Sequence, residues 1–169
     1  MRRLAALVLG SLALALATAG STAAATGSCG PWEPFTQGPI IALAGDVCPF
    51  AVTAQAVFQK LRVRYHFDAG GNVDGYQATG PLVGEITNTE TGASVRRNLS
   101  GLGTVTFDPD GSYDAAINGN FLVFFLADDT PAHELLFLSG RTVLHGAPSG
   151  PKTLVSASGA SENLCETLG

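Results

Sequence analysis

Basic residues are scarce in this chain. Nine Lys and Arg residues face fourteen Asp and Glu, and charged residues of both signs make up only 14% of the 169 positions. A protein with this excess of negative charge repels the phosphate backbone of nucleic acids and anionic lipid surfaces. The composition therefore argues against nucleic acid as a partner. Apolar residues, at 46%, are too abundant for a disordered chain.

Long apolar runs are also missing, with one exception. Residues 4–19 are almost entirely apolar, follow Arg2 and Arg3, and precede three alanines at 23–25. A basic start, a short apolar core and small residues at a cleavage site are typical of a signal peptide. No second run approaches the roughly 18 residues that a spanning helix needs, so we expect no membrane span. We expect residues 1–25 to be removed and the protein to be secreted.

Cysteine is limited to Cys29, Cys48 and Cys165, and an odd number leaves one without a partner in an exported protein. Cys48 opens the strand-rich part of the chain and Cys165 lies near its end, so we expect a disulfide between them. Closing a loop of this length stabilises a domain by roughly 4–5 kcal/mol in the chain-entropy model.

Cys29 has two interpretations. One is a free or differently paired thiol. The other is the lipid-anchored first residue of a lipoprotein, which would place the protein on a membrane surface. Lipoprotein signals strongly prefer an aliphatic residue three positions before the cysteine, where this chain has Thr26. The first interpretation is therefore favoured.

Helical periodicity is missing from nearly the whole chain. Residues 26–47 are rich in Pro and Gly and predict an extended N-terminal arm. Residues 48–169 contain short segments of alternating apolar and polar residues, separated by turns rich in Gly, Asn, Asp and Pro, which predict an antiparallel β-domain. We expect eight or nine strands in an all-β, up-and-down barrel, with a β-sandwich as the alternative, and a short helical turn at residues 161–168.

Four basic side chains alternate along one predicted strand. They are Lys60, Arg62, Arg64 and His66, here called the basic ladder. A period of two places them on one face, over roughly 20 Å. The ladder is a candidate site for a carboxylate, a sulfated or phosphorylated sugar, or an anionic polymer of the cell envelope. The alternative is a solvated face that pairs across strands with Glu85, Glu90 and Asp114.

One predicted strand is apolar on both faces. Its residues are Phe121, Leu122, Val123, Phe124 and Phe125. Strands of this kind are buried on both sides. We interpret it as part of a central strand pair covered outside by the arm, with an apolar ligand cavity or a subunit interface of a homo-oligomer as the alternative.

Signatures of catalysis and metal binding are missing. The three histidines are scattered, and no nucleophile elbow, Cys–His pairing or phosphate-binding loop stands out. Residues 108–112 begin like a calcium loop but lack its bidentate Glu, so they predict a hairpin turn. We therefore assign no catalytic residue, no metal site and no cofactor.

Three segments resemble a group of small, uncharacterised, secreted β-rich proteins of high-GC Gram-positive bacteria. They are residues 48–50, residues 108–112 followed by 120–125, and the terminal pair at 164–165. The resemblance covers about residues 48–166. It implies the β-fold and the disulfide, but the group has no assigned activity and contributes no catalytic residue.

These observations together predict a secreted, non-catalytic module that binds an unknown small molecule or envelope polymer. A structural or interaction protein of the cell surface, held together by the face at residues 121–126, is the first alternative. An enzyme of unknown class is the second alternative. It ranks last because the chain offers no acid–base pair or nucleophile set.

Overall fold

The computed structural model describes residues 27–169, so the predicted signal peptide at residues 1–25 lies outside the described residues. This part of the chain forms fifteen strands and one short helix. The elements are β1 (Ser28–Cys29), β2 (Glu33–Phe35), β3 (Ile40–Ala42), β4 (Val52–Gln59), β5 (Leu61–Phe67), β6 (Val73–Gly80), β7 (Leu82–Asn88), β8 (Ser94–Asn98), β9 (Gly101–Phe107), β10 (Tyr113–Gly119), β11 (Phe121–Phe125), β12 (Glu134–Leu138), β13 (Arg141–Gly146), β14 (Lys152–Ser158), β15 (Ser161–Asn163) and α1 (Leu164–Leu168).

All strand pairs between these elements are antiparallel, so the predicted all-β class is confirmed, as is the short C-terminal helix. The strands form three sheets. The large sheet has the order β1-β5-β6-β9-β10-β13-β14, with β2 also paired to β5. The other two are a four-stranded sheet, β3-β4-β7-β8, and a three-stranded sheet, β11-β12-β15.

The predicted barrel is not found. In the large sheet β14 pairs only with β13 and lies at the opposite end from β1, so the described strands leave the sheet open. Three sheets packed on one another favour the alternative, a sandwich. The strand number also exceeds the expected eight or nine, because the arm forms three strands, β15 lies near the C-terminus, and eleven strands lie between them. Single residues separate several of these strands: Lys60 lies between β4 and β5, Pro81 between β6 and β7, and Asn120 between β10 and β11.

Glycine makes these interruptions feasible at two positions. Gly80 has φ of +135°, and a β-carbon there would collide with the carbonyl oxygen of Lys60, which lies between β4 and β5. Gly119 has φ of +117°, and a β-carbon there would lie 2.7 Å from the Cα of Gly101. Only glycine adopts such backbone conformations at low cost. The bends at these positions direct the second half of each strand into a different sheet.

The three-stranded sheet is the middle layer, with an apolar cluster on each side. On one side β12 packs against β3, β4, β7 and α1, and on the other side β11 and β12 pack against β10 and β13 of the large sheet. The apolar run of β11 divides between the clusters. Leu122 and Phe124 belong to the first cluster, whereas Phe121, Val123 and Phe125 belong to the second. Burial on both faces therefore accounts for the lack of alternation in this strand.

The predicted disulfide is confirmed. Cys48 and Cys165 are bonded, with their Cα atoms 5.3 Å apart, and they are 117 positions apart in sequence. The bond joins the start of the β-domain to α1, beside the first apolar cluster. Cys29 is a free, exposed cysteine in β1.

The N-terminal arm adds strands to both outer sheets. Its β1 and β2 pair with β5 of the large sheet, and its β3 pairs with β4 of the four-stranded sheet. The arm thus covers the edge of the strand that carries the basic ladder. In residues 27–169 no helix has the length and apolar character needed to cross a membrane.

Candidate anion-binding site

The basic ladder lies on β5 and at the bend before it. Alternation along β5 directs Val63 into the protein, where its side chain is 8% exposed, and places Arg62 and Arg64 on the opposite face. Lys60 lies in the one-residue gap between β4 and β5. The strand therefore carries the two guanidinium groups side by side, with the ammonium group at one end.

Both guanidinium groups pack on the single tryptophan of the chain. The Cζ atom of Arg64 lies 4.8 Å from the centre of the Trp32 ring, and the Cζ atom of Arg62 lies 5.6 Å from it. Trp32 is held there by the arm, because the adjacent strand β2 pairs directly with β5. A cation over the face of an indole ring is attracted by the ring quadrupole. Trp32 thus orients both arginines.

The two arginines differ in their hydrogen bonds. Arg64 donates from Nε and Nη2 to the side-chain oxygen of Gln77, at 2.9 and 2.6 Å, from the position directly opposite on β6. The guanidinium of Arg62 donates no hydrogen bond to any residue in the described range 27–169. Arg62 therefore keeps its whole set of donors for a ligand, while Arg64 is fixed in place by Gln77.

The predicted pairing of the ladder with nearby carboxylates is wrong for Glu85 and Asp114, which have other basic partners. Glu85 accepts from Nε of Arg96 at 2.8 Å, and Asp114 is bound to Nδ1 of His145 at 2.9 Å. Glu85 lies on β7, which the interruption at Pro81 has moved into the four-stranded sheet. The bond from Arg96 keeps the pKa of Glu85 below its ordinary value.

In the part of the chain that the structure describes, most cations outside the ladder are paired with carboxylates, whereas those of the ladder are not. Three of the seven cations between positions 27 and 169 form ion pairs, which are Arg96–Glu85, Arg97–Glu162 and Lys152–Asp129. The remaining four have no carboxylate partner in that range, and they are Lys60, Arg62, Arg64 and Arg141. Residues 1–26 contain no Asp or Glu. Three of these four cations belong to the ladder, so positive charge is concentrated there in an acidic protein.

An open groove of about 580 Å³ runs beside the ladder. Lys60 and Arg62 line it together with apolar residues of the arm and of the strand ends, including Pro34 and Phe35. Phe35 is 41% exposed, and Nζ of Lys60 lies 6.0 Å from the ring of Phe58. The groove thus combines two cations with exposed apolar surface and can accept a ligand that has both anionic and apolar parts.

His66 is separated from this groove. Its Nε2 atom is buried and finds no hydrogen-bond partner in the part of the chain that the structure describes. Cys29 of β1 is its direct neighbour across the strand pair. The structure therefore brings Lys60, Arg62 and Arg64 to one accessible region, and places His66 beside β1 of the arm with its Nε2 atom buried.

Sequence reasoning missed Trp32. The available signal was that the only tryptophan lies in the Pro/Gly-rich arm, which the sequence does not predict to form a hydrophobic core. Its packing on β5 depends on pairing between distant segments, which the sequence does not reveal.

The other candidate motifs have structural explanations. The Oγ of Ser112 donates to Asp108 and Asp110, at 3.0 and 2.7 Å, which closes a hairpin turn between β9 and β10. Among residues 27–169, no group of three or more His, Cys, Asp and Glu side chains is placed to hold a metal ion.

Comparisons of the chain with protein-family models, with curated proteins and with solved structures found no match. The function of the site is therefore inferred from its own chemistry.

Proposed function

We propose that this chain is a secreted, non-catalytic module that binds an anionic ligand at Arg62 and Arg64. The observation that supports this most is the packing of both guanidinium groups on Trp32 without a carboxylate partner. Arginine presents paired donors in a planar arrangement that matches a carboxylate or a phosphate. Two such groups on one strand face can converge on one anion.

The arrangement lowers the cost of binding. Residues two positions apart on a strand are roughly 7 Å apart, so the two guanidinium charges repel each other until an anion lies between them. Contact with Trp32 and the bonds to Gln77 restrict the rotamers of the arginines before the ligand arrives. Less side-chain entropy is then lost on binding.

Secretion is part of the proposal. The disulfide is compatible with an oxidising compartment outside the cytoplasm, and residues 1–25 have the pattern of a signal peptide. N-terminal sequencing of protein from the culture medium should then begin at or near Thr26. A blocked, acylated Cys29 in the membrane fraction would instead identify a lipid-anchored protein.

The alternative of an oligomer held through residues 121–126 gains no support. Val123 and Phe125 are buried at 3% and 0% exposure inside the second apolar cluster. Within residues 121–126 only Leu126 is exposed, at 49%, so most of this face is occupied within one copy of the chain.

Titration calorimetry with polygalacturonate, heparin and polyphosphate tests the proposal. We expect Arg62→Ala with Arg64→Ala to weaken binding of the preferred polymer about 100-fold, because two charge-assisted contacts are lost. Binding should also weaken as salt is raised.

Matched single variants supply the control. Arg62→Ala should weaken binding, whereas Arg96→Ala, which removes an exposed arginine of the four-stranded sheet, should leave it unchanged. The proposal fails if the double variant binds like the wild type, or if the wild type binds none of the three polymers.

A further inference from the structure

A row of side chains crosses the large sheet from Arg62 to Arg141. Arg62 is directly opposite Thr79 on β6, Thr79 is opposite Leu102 on β9, Leu102 is opposite Asn118 on β10, and Asn118 is opposite Arg141 on β13. Directly paired residues point to the same face of a sheet. Arg141 therefore shares a face with the ladder, although 79 positions separate it from Arg62 in sequence.

The two ends of the row are far apart and positively charged. Four steps between neighbouring strands span roughly 19 Å. Arg141 is exposed and, like Arg62, has no carboxylate partner among the described residues. The three arginines without such a partner, Arg62, Arg64 and Arg141, thus lie on one face of one sheet. A small anion bound to Arg62 and Arg64 cannot reach Arg141.

The surface between the charged ends carries no acidic residue. Thr79 offers a hydroxyl oxygen that can accept, since its proton is donated to the carbonyl of Gly101 at 2.9 Å, whereas Leu102 offers an apolar side chain that is 38% exposed and Asn118 offers an amide. The neighbouring row, which begins at Arg64, continues with Gln77, Thr104, Ala116 and Val143 and is also free of carboxylates. The nearest acidic residue on β10 is Asp114, four positions from Asn118, and it is bound by His145. Alternating polar and apolar contacts of this kind suit the hydroxyl groups and C–H faces of sugar rings.

The sparse charge of this face favours a polymer that is itself sparsely charged. Residues 26–169 carry seven Lys and Arg against fourteen Asp and Glu, so a densely charged polyanion meets repulsion from the rest of the molecule. A polymer with one carboxylate per sugar has a lower density of negative charge than such a polyanion. It therefore meets less repulsion and can still reach the separated arginines. The sheet twists by about 20–25° per strand, so the ligand must also follow a turning path, which a flexible chain can do.

We propose that the ligand is a linear polymer of carboxylated sugars that lies across the strands of the large sheet, from Arg62 and Arg64 on β5 to Arg141 on β13. This inference rests on the proposed function and names its ligand class. One carboxylate binds between Arg62 and Arg64, the sugars in between contact Thr79, Leu102 and Asn118, and a later carboxylate binds Arg141.

Affinities for a short and a long oligomer test this path. The two carboxylates of digalacturonate are much closer together than the ends of the row, whereas octagalacturonate can reach both ends. We expect Arg141→Ala to weaken binding of octagalacturonate about tenfold, since one charge-assisted contact is lost, and to leave digalacturonate unaffected. Arg62→Ala should weaken both, and Arg96→Ala neither. Arg141→Lys, which keeps the charge, should lie between Arg141→Ala and the wild type.

The outcomes separate this inference from the proposed function. If Arg62→Ala weakens binding but Arg141→Ala leaves octagalacturonate affinity unchanged, the path across the sheet is wrong and the anion site stands. If neither arginine matters, both fail. If heparin or polyphosphate binds more tightly than octagalacturonate and depends on the same arginines, the site stands but the ligand is not a carboxylated sugar polymer. Unchanged circular dichroism and melting temperature of each variant ensure that the comparison concerns binding.

Discussion

The guanidinium of Arg64 lies 4.8 Å above the centre of the Trp32 ring, in contact with the only tryptophan of the chain. Trp32 belongs to the arm and Arg64 to the β-domain, so this contact joins the two predicted regions at the site where unpaired positive charge is concentrated. Gln77 holds the same guanidinium from β6. The arm is thereby a part of the proposed binding site.

Removal of the indole ring should weaken the site. We expect Trp32→Ala to lower the affinity for polygalacturonate about tenfold, because two cation–π contacts that order the arginines are lost. Trp32→Phe keeps an aromatic face and should lose less. Titration calorimetry measures both. An alanine variant with wild-type affinity would show that the ring does not support the site.

The buried ion pair of Asp129 and Lys152 should govern stability at acid pH. Asp129 accepts from the side chain of Lys152 and from the backbone amides of Lys152 and Leu126, at 2.7 and 2.6 Å for the amides. Burial acts to raise the pKa of Asp129, but these bonds outweigh it and hold the pKa below its ordinary value. The stabilisation is therefore complete above the unfolded-state pKa of about 3.9 and is lost as pH falls through the lower folded-state pKa.

Asp129→Asn tests this pair. We expect it to lower the free energy of unfolding by about 3 kcal/mol at pH 7, since Lys152 is left without its partner in a mostly buried position. The difference from the wild type should shrink below about pH 4. Urea denaturation at several pH values measures it, with Asp128→Asn at the exposed neighbour as the control. Equal effects of the two variants would contradict the assignment.

The disulfide should contribute strongly to stability. Replacing Cys48 and Cys165 with Ala should lower the free energy of unfolding by about 2–5 kcal/mol, because the bond closes most of the chain into a loop. Cys29→Ala should have little effect, since Cys29 is free and exposed. Peptide mapping without reduction should recover the Cys48–Cys165 pair. Alkylation of both Cys48 and Cys165 in the folded protein would contradict this prediction.

The bend between β6 and β7 should depend on Gly80. Gly80→Ala combines a positive φ with a collision against the Lys60 carbonyl, and should lower the free energy of unfolding by about 1–3 kcal/mol. Gly38 has no positive φ, and a β-carbon added there would have no atom within 4 Å. Gly38→Ala should therefore change stability by less than about 0.5 kcal/mol. Urea denaturation compares them, and similar stabilities would contradict the role of Gly80.

Local patterns in the sequence predicted the antiparallel strands, the disulfide and the alternation of Arg62 and Arg64. These features depend on residue spacing within one segment or on the small number of cysteines. The division into three sheets was not predicted, because it depends on bends at Gly80 and Gly119 whose positive φ is set by close approach to other strands.

Pairing between distant segments determines the rest of the site. The solvated-face alternative paired Glu85 with the ladder, but the interruption at Pro81 places Glu85 in another sheet beside Arg96. Trp32 reaches the ladder through pairing of β2 with β5, and Arg141 shares the ladder face through four successive strand pairs. Strand register between such segments is fixed only when the whole sheet forms, so spacing along the sequence could not reveal it.

Tryptophan fluorescence tests the central claim most directly, because the only tryptophan lies under Arg62 and Arg64. Titration of the protein with polygalacturonate should change the emission of Trp32 in a saturable manner, and the midpoint should rise with salt. Arg62→Ala with Arg64→Ala should lose this saturable change, while Arg96→Ala should keep it. A wild-type emission that polygalacturonate leaves unchanged, or a double variant with the same titration curve as the wild type, would contradict the claim that these two arginines form an anion-binding site.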